Sequence, residues 1–182
     1  MRKVIVSMNT TLDGFMAGPN GELDWHFPLW NTEMASVALE DLDDVDTILL
    51  GRRTYQAMEA YWPAAPHDSF SDKMNNYTKI VFSNTLKKAS WKNTKIISKN
   101  IADSIRKIKQ RPGKDMIVYG SSSIVHLFFQ HNLIDEYRLW IHPVAITNGV
   151  PLFKDTHHNF NLKLLRNRTF CSGVVINYYR PF

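Results

Sequence analysis

Residues 47–55 read TILLGRRTY, and the way this stretch breaks decides the fold class. Thr47-Ile48-Leu49-Leu50 has the short, apolar character of a strand buried on both faces, and it stops at Gly51. A glycine at a strand end lets a ligand approach the backbone. The helix expected next offers free N–H groups and the positive end of its dipole at Arg52-Arg53-Thr54. Two arginines there suit a phosphate, which a guanidinium grips bidentately; a solvated first helical turn is the alternative reading.

The same grammar recurs along the chain. Val4-Ile5-Val6 reads as a short buried strand, followed from Asn9 to Gly21 by a long loop rich in turn formers (Gly14, Gly18-Pro19, Asn20-Gly21). Lys79 to Phe82 stops at Ser83-Asn84-Thr85. Lys95 to Ser98 is a further short run, and Met116 to Tyr119 stops at Gly120-Ser121-Ser122-Ser123. Between them lie helical stripes: Met34, Ala38 and Leu42 with Thr32 as N-cap, Ile101, Ile105 and Ile108 with Asn100 as cap, and Ile124, Leu127 and Phe128. The pattern then changes. Tyr137 to Ile141, Leu162 to Phe170 and Val174 to Tyr179 read as strands without long helices between them, the last two joined at Cys171-Ser172-Gly173 as a hairpin. Strand and helix alternating first, then antiparallel strands, predict an α/β fold with a mostly parallel sheet and an antiparallel C-terminal hairpin. No linker or repeat interrupts residues 1–182, so a single domain is expected.

Composition narrows the function. The chain carries 22 Lys+Arg against 17 Asp+Glu, a net charge of +5, which fits a small anionic ligand. The basic residues form no stripe interleaved with stacking aromatics, so nucleic acid is not expected as a partner. Cys171 is the single cysteine, which excludes an internal disulfide and a cysteine-based metal cluster. His126 and His131 lie five apart on a helix, a poor spacing for ligation, and His157-His158 reads as part of an exposed loop, so no metal is expected. The apolar run at Val4 to Val6 is too short for a signal-peptide core and no later run approaches a membrane span; a cytoplasmic protein without membrane contact is expected.

In an open α/β sheet, ligands bind beyond the carboxyl ends of the strands. Three such ends here, at Gly51, Ser83 and Gly120, are small or polar, and the last supplies more hydroxyls than capping alone needs. Together they point to a nucleotide. No Gly-x-Gly-x-x-Gly, no P-loop and no complete nucleophile elbow occurs.

The ordered set of motifs resembles the dihydrofolate reductase superfamily, and most of all the branch that holds the reductase domain of the bacterial riboflavin-pathway deaminase–reductase and its stand-alone relatives. The resemblance rests on Thr11-Leu12-Asp13-Gly14-Phe15-Met16-Ala17, Leu50-Gly51-Arg52-Arg53-Thr54-Tyr55, Ile80-Val81-Phe82-Ser83 and Val118-Tyr119-Gly120-Ser121-Ser122, in that order. It implies the three-layer dihydrofolate reductase-like fold, NADP(H) as cofactor, a small-molecule substrate and a homodimer. Position by position, it implies that Gly51, Arg52, Arg53 and Thr54 hold the adenosine phosphates, and that Ser83, after Phe82, faces the adenosine 2′-phosphate. Gly120, Ser121, Ser122, Ser123 and Ile124, after Tyr119, would cradle the pyrophosphate. The loop from Asn9 through Met16 to Ala17 would line the nicotinamide. The superfamily usually has Gly-Gly where this chain has Gly120-Ser121. A non-proline cis peptide is costly and glycine accepts it most readily, so the geometry of that peptide stays open.

The same resemblance gives a register to ELDWHFPLWNTE, residues 22–33. Dihydrofolate reductases show Trp-x-x-Pro followed by an acid two positions later. Trp25 and Pro28 match, but the acid position falls on Trp30, so a true dihydrofolate reductase is not expected. Trp25, Phe27 and Trp30 are expected to stack on a flat substrate. Asp24, Glu33 and Asp13 are the candidate catalytic acids, each with an ordinary alternative as a turn or first-turn residue, and the proton source stays unassigned. The expected activity is hydride transfer from NADPH to a small heterocycle, pterin- or pyrimidine-like; the alternative is an NADP(H)-binding or regulatory protein without turnover.

Overall fold

The computed structural model describes residues 1–154 and 160–182. The apolar runs become strands of one eight-stranded sheet. Its parallel members are β1 (Val4–Thr11), β3 (Val45–Gly51), β4 (Thr78–Phe82), β5 (Thr94–Ile97), β6 (Asp115–Val118) and β7 (Glu136–His142), while β9 (Leu162–Thr169) and β10 (Val175–Pro181) are antiparallel. A second, two-stranded sheet pairs β2 (Phe15–Ala17) with β8 (Val150–Pro151). The order in the large sheet is β5-β4-β3-β6-β1-β7-β10-β9. This is the mixed α/β architecture expected, with the antiparallel hairpin at one edge.

Strand alternation builds three layers. Val4, Val6, Leu49, Met116 and Val118 turn to one face, where α4 (Ile101–Lys109) and α5 (Ser122–Gln130) bring Ile105, Ile124, Val125 and Phe128. Ile5, Ile48, Leu50 and Ile117 turn to the other, under Tyr55 of α2 (Arg52–Tyr61) and Met74 of α3 (Ser69–Asn76). Beside that second face, α1 (Thr32–Glu40) packs Met34, Val37 and Ala38 on Trp140, Ile176 and Tyr178.

Three sequence expectations are corrected. The first strand does not end at Val6 but continues through Asn9-Thr10-Thr11, which pair with Trp140-Ile141-His142. Residues 15–17, placed in the loop, form β2. The polar run Asn9-Thr10-Thr11 and the glycines at 14 and 18 that bracket β2 imitate a loop in the sequence. The cap of α1 is Asn31, whose side chain accepts from the Met34 N–H at 2.9 Å, and Thr32 is the first helical residue. Asn100 occupies the cap position of α4 without making a side-chain cap bond. Helix α3, with only Phe70 and Met74 as apolar contacts, carries no stripe; its signal is the capping box of Asp68 and Ser71. His157-His158 lie outside the described residues.

Candidate active site

The six parallel strands end along one edge of the sheet, at Thr11, Gly51, Phe82, Ile97, Val118 and His142. Since β3 and β6 are neighbours, the chain leaves the sheet twice at adjacent points. The Gly51 N–H donates to the Gly120 carbonyl at 3.0 Å. A side chain on Gly51 would collide with Ser121, and a β-carbon on Gly120, where φ is +125°, would stand 3.0 Å from Thr54 Oγ1. The Gly120–Ser121 peptide, left open by the sequence, is cis. Gly51, Thr54, Gly120 and Ser121 therefore meet in one cradle with bare backbone at its centre.

Helices α2 and α5 begin at this cradle. Neither has a side-chain cap, and neither has an acid in its first turn. By contrast α1 and α3 are capped by Asn31 and Asp68 and carry Glu33 and Asp72 in the first turn. Two adjacent helix ends with uncompensated N–H groups suit an anion, a phosphate above all. Arg52 and Arg53 stand exposed at one of them; Arg52 donates to Gln56 Oε1 at 3.1 Å, and among the described residues Arg53 has no polar partner. The Ser121 and Ser123 hydroxyls bond each other at 2.8 Å, beside Ser122.

Not every predicted residue reaches the cradle with its side chain. Phe82 packs on Phe128 in the core, and Ile124 is buried there with its N–H turned back to the Ser121 carbonyl. Tyr119 packs against the second core cluster. Ser83 Oγ accepts from the Thr85 and Leu86 N–H groups at 3.2 and 2.9 Å, which shapes the turn after β4.

At the other flank of β1, Asn9 Oδ1 faces His142 Nε2 at 3.1 Å. Met16 is buried in the core and Ala17 pairs with Val150. A β-carbon on Gly149 would press on the Ala17 carbonyl at 2.2 Å, so the glycine is what lets β8 pass beside β2. Trp25 meets His142 edge-on with ring centroids 5.2 Å apart, and His26 meets it at 5.9 Å. Phe27 lies against His26 at 4.1 Å and Trp30 leans on Trp140 at 5.8 Å, both keeping exposed ring surface. Trp25 also lines a cavity of about 380 Å³ with Pro19, Glu22, Asp24, Ile146 and Asn148. Burial, with His26 adding repulsion, pushes His142 down to about 4, so its ring is neutral at ordinary pH.

The three candidate acids part company. Asp13 accepts from Thr11 Oγ1 at 2.6 Å and from the Thr147 N–H at 2.8 Å; the Thr11 hydroxyl bond above all holds its carboxyl below the usual range. It staples the loop after β1 to the loop after β7. Glu33 is paired with Arg168 at 2.9 Å. Asp24 lines the cavity, and among the described residues no polar group engages its carboxylate.

Sequence reasoning missed His142, Trp140, Ile146 and Asn148. An Asn148-Gly149 turn pair and a strand ending at His142-Pro143 were the available signals. Among the described residues no group of three or more His, Cys, Asp or Glu is placed to hold a metal ion, and no helix is long and apolar enough to cross a membrane.

Comparison with known proteins agrees with this fold. The RibD C-terminal domain family matches residues 2–176. The Bacillus subtilis (strain 168) protein YyaP, itself uncharacterised, is 37% identical over 179 residues, spanning 96% of this chain and 92% of its own. Among solved structures, a Shewanella sp. PV-4 protein assigned to riboflavin biosynthesis superposes with a TM-score of 0.80 at 21% identity, over 99% of each chain. Dihydrofolate reductase from Enterococcus faecalis, in complex with NADP(H), superposes with a TM-score of 0.64 at 13% identity, over 98% of this chain and 96% of its own.

Proposed function

This chain belongs to the RibD C-terminal domain family, and from that premise we propose that it is an NADPH-dependent reductase delivering hydride to a small, flat heterocycle other than dihydrofolate. The observation that carries the reading is the paired, uncapped starts of α2 and α5 around the Gly51–Gly120 contact. A nicotinamide cofactor supplies the hydride when bound. The residues around the cradle fit its phosphates: the first-turn N–H groups of α2 and the Ser121 to Ser123 segment bind the pyrophosphate, and Arg52 and Arg53 bind the remaining phosphate charge, with the turn at Ser83 beside it.

In the substrate half, Trp25, Phe27 and Trp30 supply aromatic surface for a flat ring, with Asn9 near the end of β1 and Ala17 at the end of β2. Asp24 is assigned as the group that donates or relays the proton, because it lines the cavity and its carboxylate alone among the three candidate acids is unengaged among the described residues. The acid position of a folate site is occupied by Trp30, which supports a substrate without the charged edge that such an acid binds.

The test is a melting shift with NADPH, NADH and NADP, since a ligand that binds only the folded state raises its stability, followed by NADPH consumption with pterin, pyrimidine and quinone substrates. No shift with any of the three cofactors removes the reductase reading. A shift without consumption over the whole panel replaces it with a binding protein of the same fold, and dihydrofolate turnover at an enzymatic rate reverses the exclusion of folate. The proposal includes a single domain, cytoplasmic residence and a homodimer; a monomer by size-exclusion chromatography with light scattering removes the last.

A further inference from the structure

The two faces of the C-terminal hairpin are unlike. Directly opposed residues of an antiparallel pair share a face, and this sorts β7, β10 and β9 into rows. One face carries Leu139–Asn177–Asn167 and Tyr137–Tyr179–Leu164, flanked by rows that run from Ile141 to Thr169 and from Pro181 to Leu162. No charged side chain occurs in any of these rows. The other face carries Trp140–Ile176–Arg168 and Arg138–Tyr178–Arg166, with Lys163 opposite Arg180 beyond them. There α1 covers Trp140, Ile176 and Tyr178.

The uncharged face is closed at β7 and open at β9. Along its middle rows Leu139 and Tyr137 are buried, Asn177 and Tyr179 are half-buried, and Asn167 and Leu164 are exposed, Leu164 to 46%. Every residue of β9 except Leu162 is exposed. Phe153 meets Tyr137 with ring centroids 5.9 Å apart, and Phe129 and Phe160 meet Phe153 at 6.1 and 4.9 Å. These three half-buried rings extend the apolar surface away from the hairpin. An apolar sheet face left open in this way marks a surface that another molecule covers.

Charge decides which molecule. A second copy brings the same side chains back across a two-fold axis, so a face that packs on itself has to be free of like charges. This face is free of them, and the Asn167 and Asn177 amides each offer a donor and an acceptor to their own copies. The opposite face fails, because Arg166 and Arg168 would meet themselves. Addition of β9 to β9 at the sheet edge fails as well. Lys163, Arg166 and Arg168 would crowd into that pairing, and the register shift beside Tyr179 interrupts the strand. A strongly charged partner, in turn, finds no counter-charge in these rows.

We infer that a second copy of this chain packs on the uncharged face of the β10–β9 hairpin, sheet face on sheet face. The inference rests on the reductase reading only through the homodimer that reading includes, and it assigns the surface.

The experiment is sedimentation equilibrium of the full-length protein, joined to hydroxyl-radical footprinting of the wild type above and below its association midpoint. A dimer is expected, with Tyr179 and Leu164 protected above the midpoint and reactive below it, while Tyr61, exposed on α2, reacts alike at both. Leu164→Arg and Asn167→Arg, each checked for a wild-type urea transition under monomeric conditions, place like charges across the axis. Each is expected to weaken dimerisation about a hundredfold. A monomeric wild type, a dimer that leaves Tyr179 and Leu164 reactive, or dimers that survive both substitutions overturn the inference, and the first two outcomes depend on no variant. The melting shift with NADPH separates the two claims. A shift in a monomeric wild type removes this inference alone, whereas a dimer broken by both substitutions but without any cofactor shift removes the reductase reading alone.

Discussion

A β-carbon on Gly51 would lie 2.1 Å from Ser121 Oγ and 3.1 Å from the Ser121 backbone N, so these two residues are fitted to each other. The Gly51 backbone is ordinary, with φ −78°, and alanine is tolerated there as far as conformation goes. The penalty of Gly51→Ala is therefore contact: Ser121 must retreat and the cradle opens. Overpacking of this kind costs about 1–3 kcal/mol. The expected outcome is a lower urea midpoint together with loss of most of the NADPH melting shift. Adding Ser121→Gly removes the nearest atom, and a double-mutant cycle is expected to return part of both losses. Independent, additive effects would refute the fit.

Arg138 is buried among acids and holds two of them. Its Nε donates to Glu136 Oε1 at 2.8 Å, and its Nη1 reaches the Asp41 carboxylate and the Asp41 carbonyl at 3.0 Å each. Tyr178 adds its hydroxyl to Asp41 at 3.2 Å, and burial raises the Asp41 carboxyl while Arg138 pulls it back. Removing one partner of such a group leaves uncompensated buried charge, at about 3–5 kcal/mol. Arg138→Met is expected to lose that much by urea unfolding. Arg138→Met combined with Asp41→Asn and Glu136→Gln is expected to recover a substantial part, because no buried charge is then left without a partner; the cations released, Lys3 and Arg166, are exposed. A single variant as stable as the wild type would show that the network contributes nothing net.

What the sequence made legible follows where side chains have one task. Ile48, Leu49 and Leu50 need only burial, so an apolar run names the strand, and the glycine after it names the place where the backbone is approached. Asn9, Thr10 and Thr11 have two tasks, pairing with β7 and facing the site, and their polarity hid the strand. Helix α3 was hidden for a different reason: two apolar contacts make no stripe, and its Asp68–Ser71 cap was the one readable sign. His142 could not be found at all from spacing. It meets Asn9 across 133 positions of sequence, and its burial, tautomer and ring contacts exist only once β1 and β7 are paired. The cradle at Gly51 and Gly120 was therefore readable in local motifs, whereas the surroundings of His142 depend on long-range register.

Arg52 and Arg53 are exposed at the first turn of α2, with no acid near the turn to compete for them. If they hold phosphate charge, each Arg→Ala variant is expected to weaken NADPH binding about tenfold, with little change in urea stability. The variant that meets the 2′-phosphate is expected to lose the preference for NADPH over NADH, while the other weakens both cofactors equally. Isothermal titration with the two cofactors distinguishes them. Unchanged affinity in both variants would return the arginines to a solvated helix turn.

His142 sets a direction for the acid limb of stability. Its ring is pushed down to about 4 in the folded protein by burial and by His26, against an unfolded value near 6.5. Between these values the unfolded chain takes up a proton that the folded one refuses. Stability therefore falls as pH drops through this window, by up to about 1.4 kcal/mol per pH unit, and this loss levels off below about pH 4. His26, lowered in the same direction by its own burial, adds to the slope, so the informative quantity is a difference. Urea unfolding of the wild type and of His142→Phe, from pH 7 down to the acid limit, is expected to give curves that diverge as the acid is approached, with the shallower slope in the variant. Asn9→Ala removes the acceptor opposite Nε2 but leaves the ring buried; it is expected to lower stability at every pH and to keep the steep slope. Parallel curves for wild type and His142→Phe would mean that the ring titrates alike folded and unfolded, which is incompatible with a neutral histidine closed beneath Trp25.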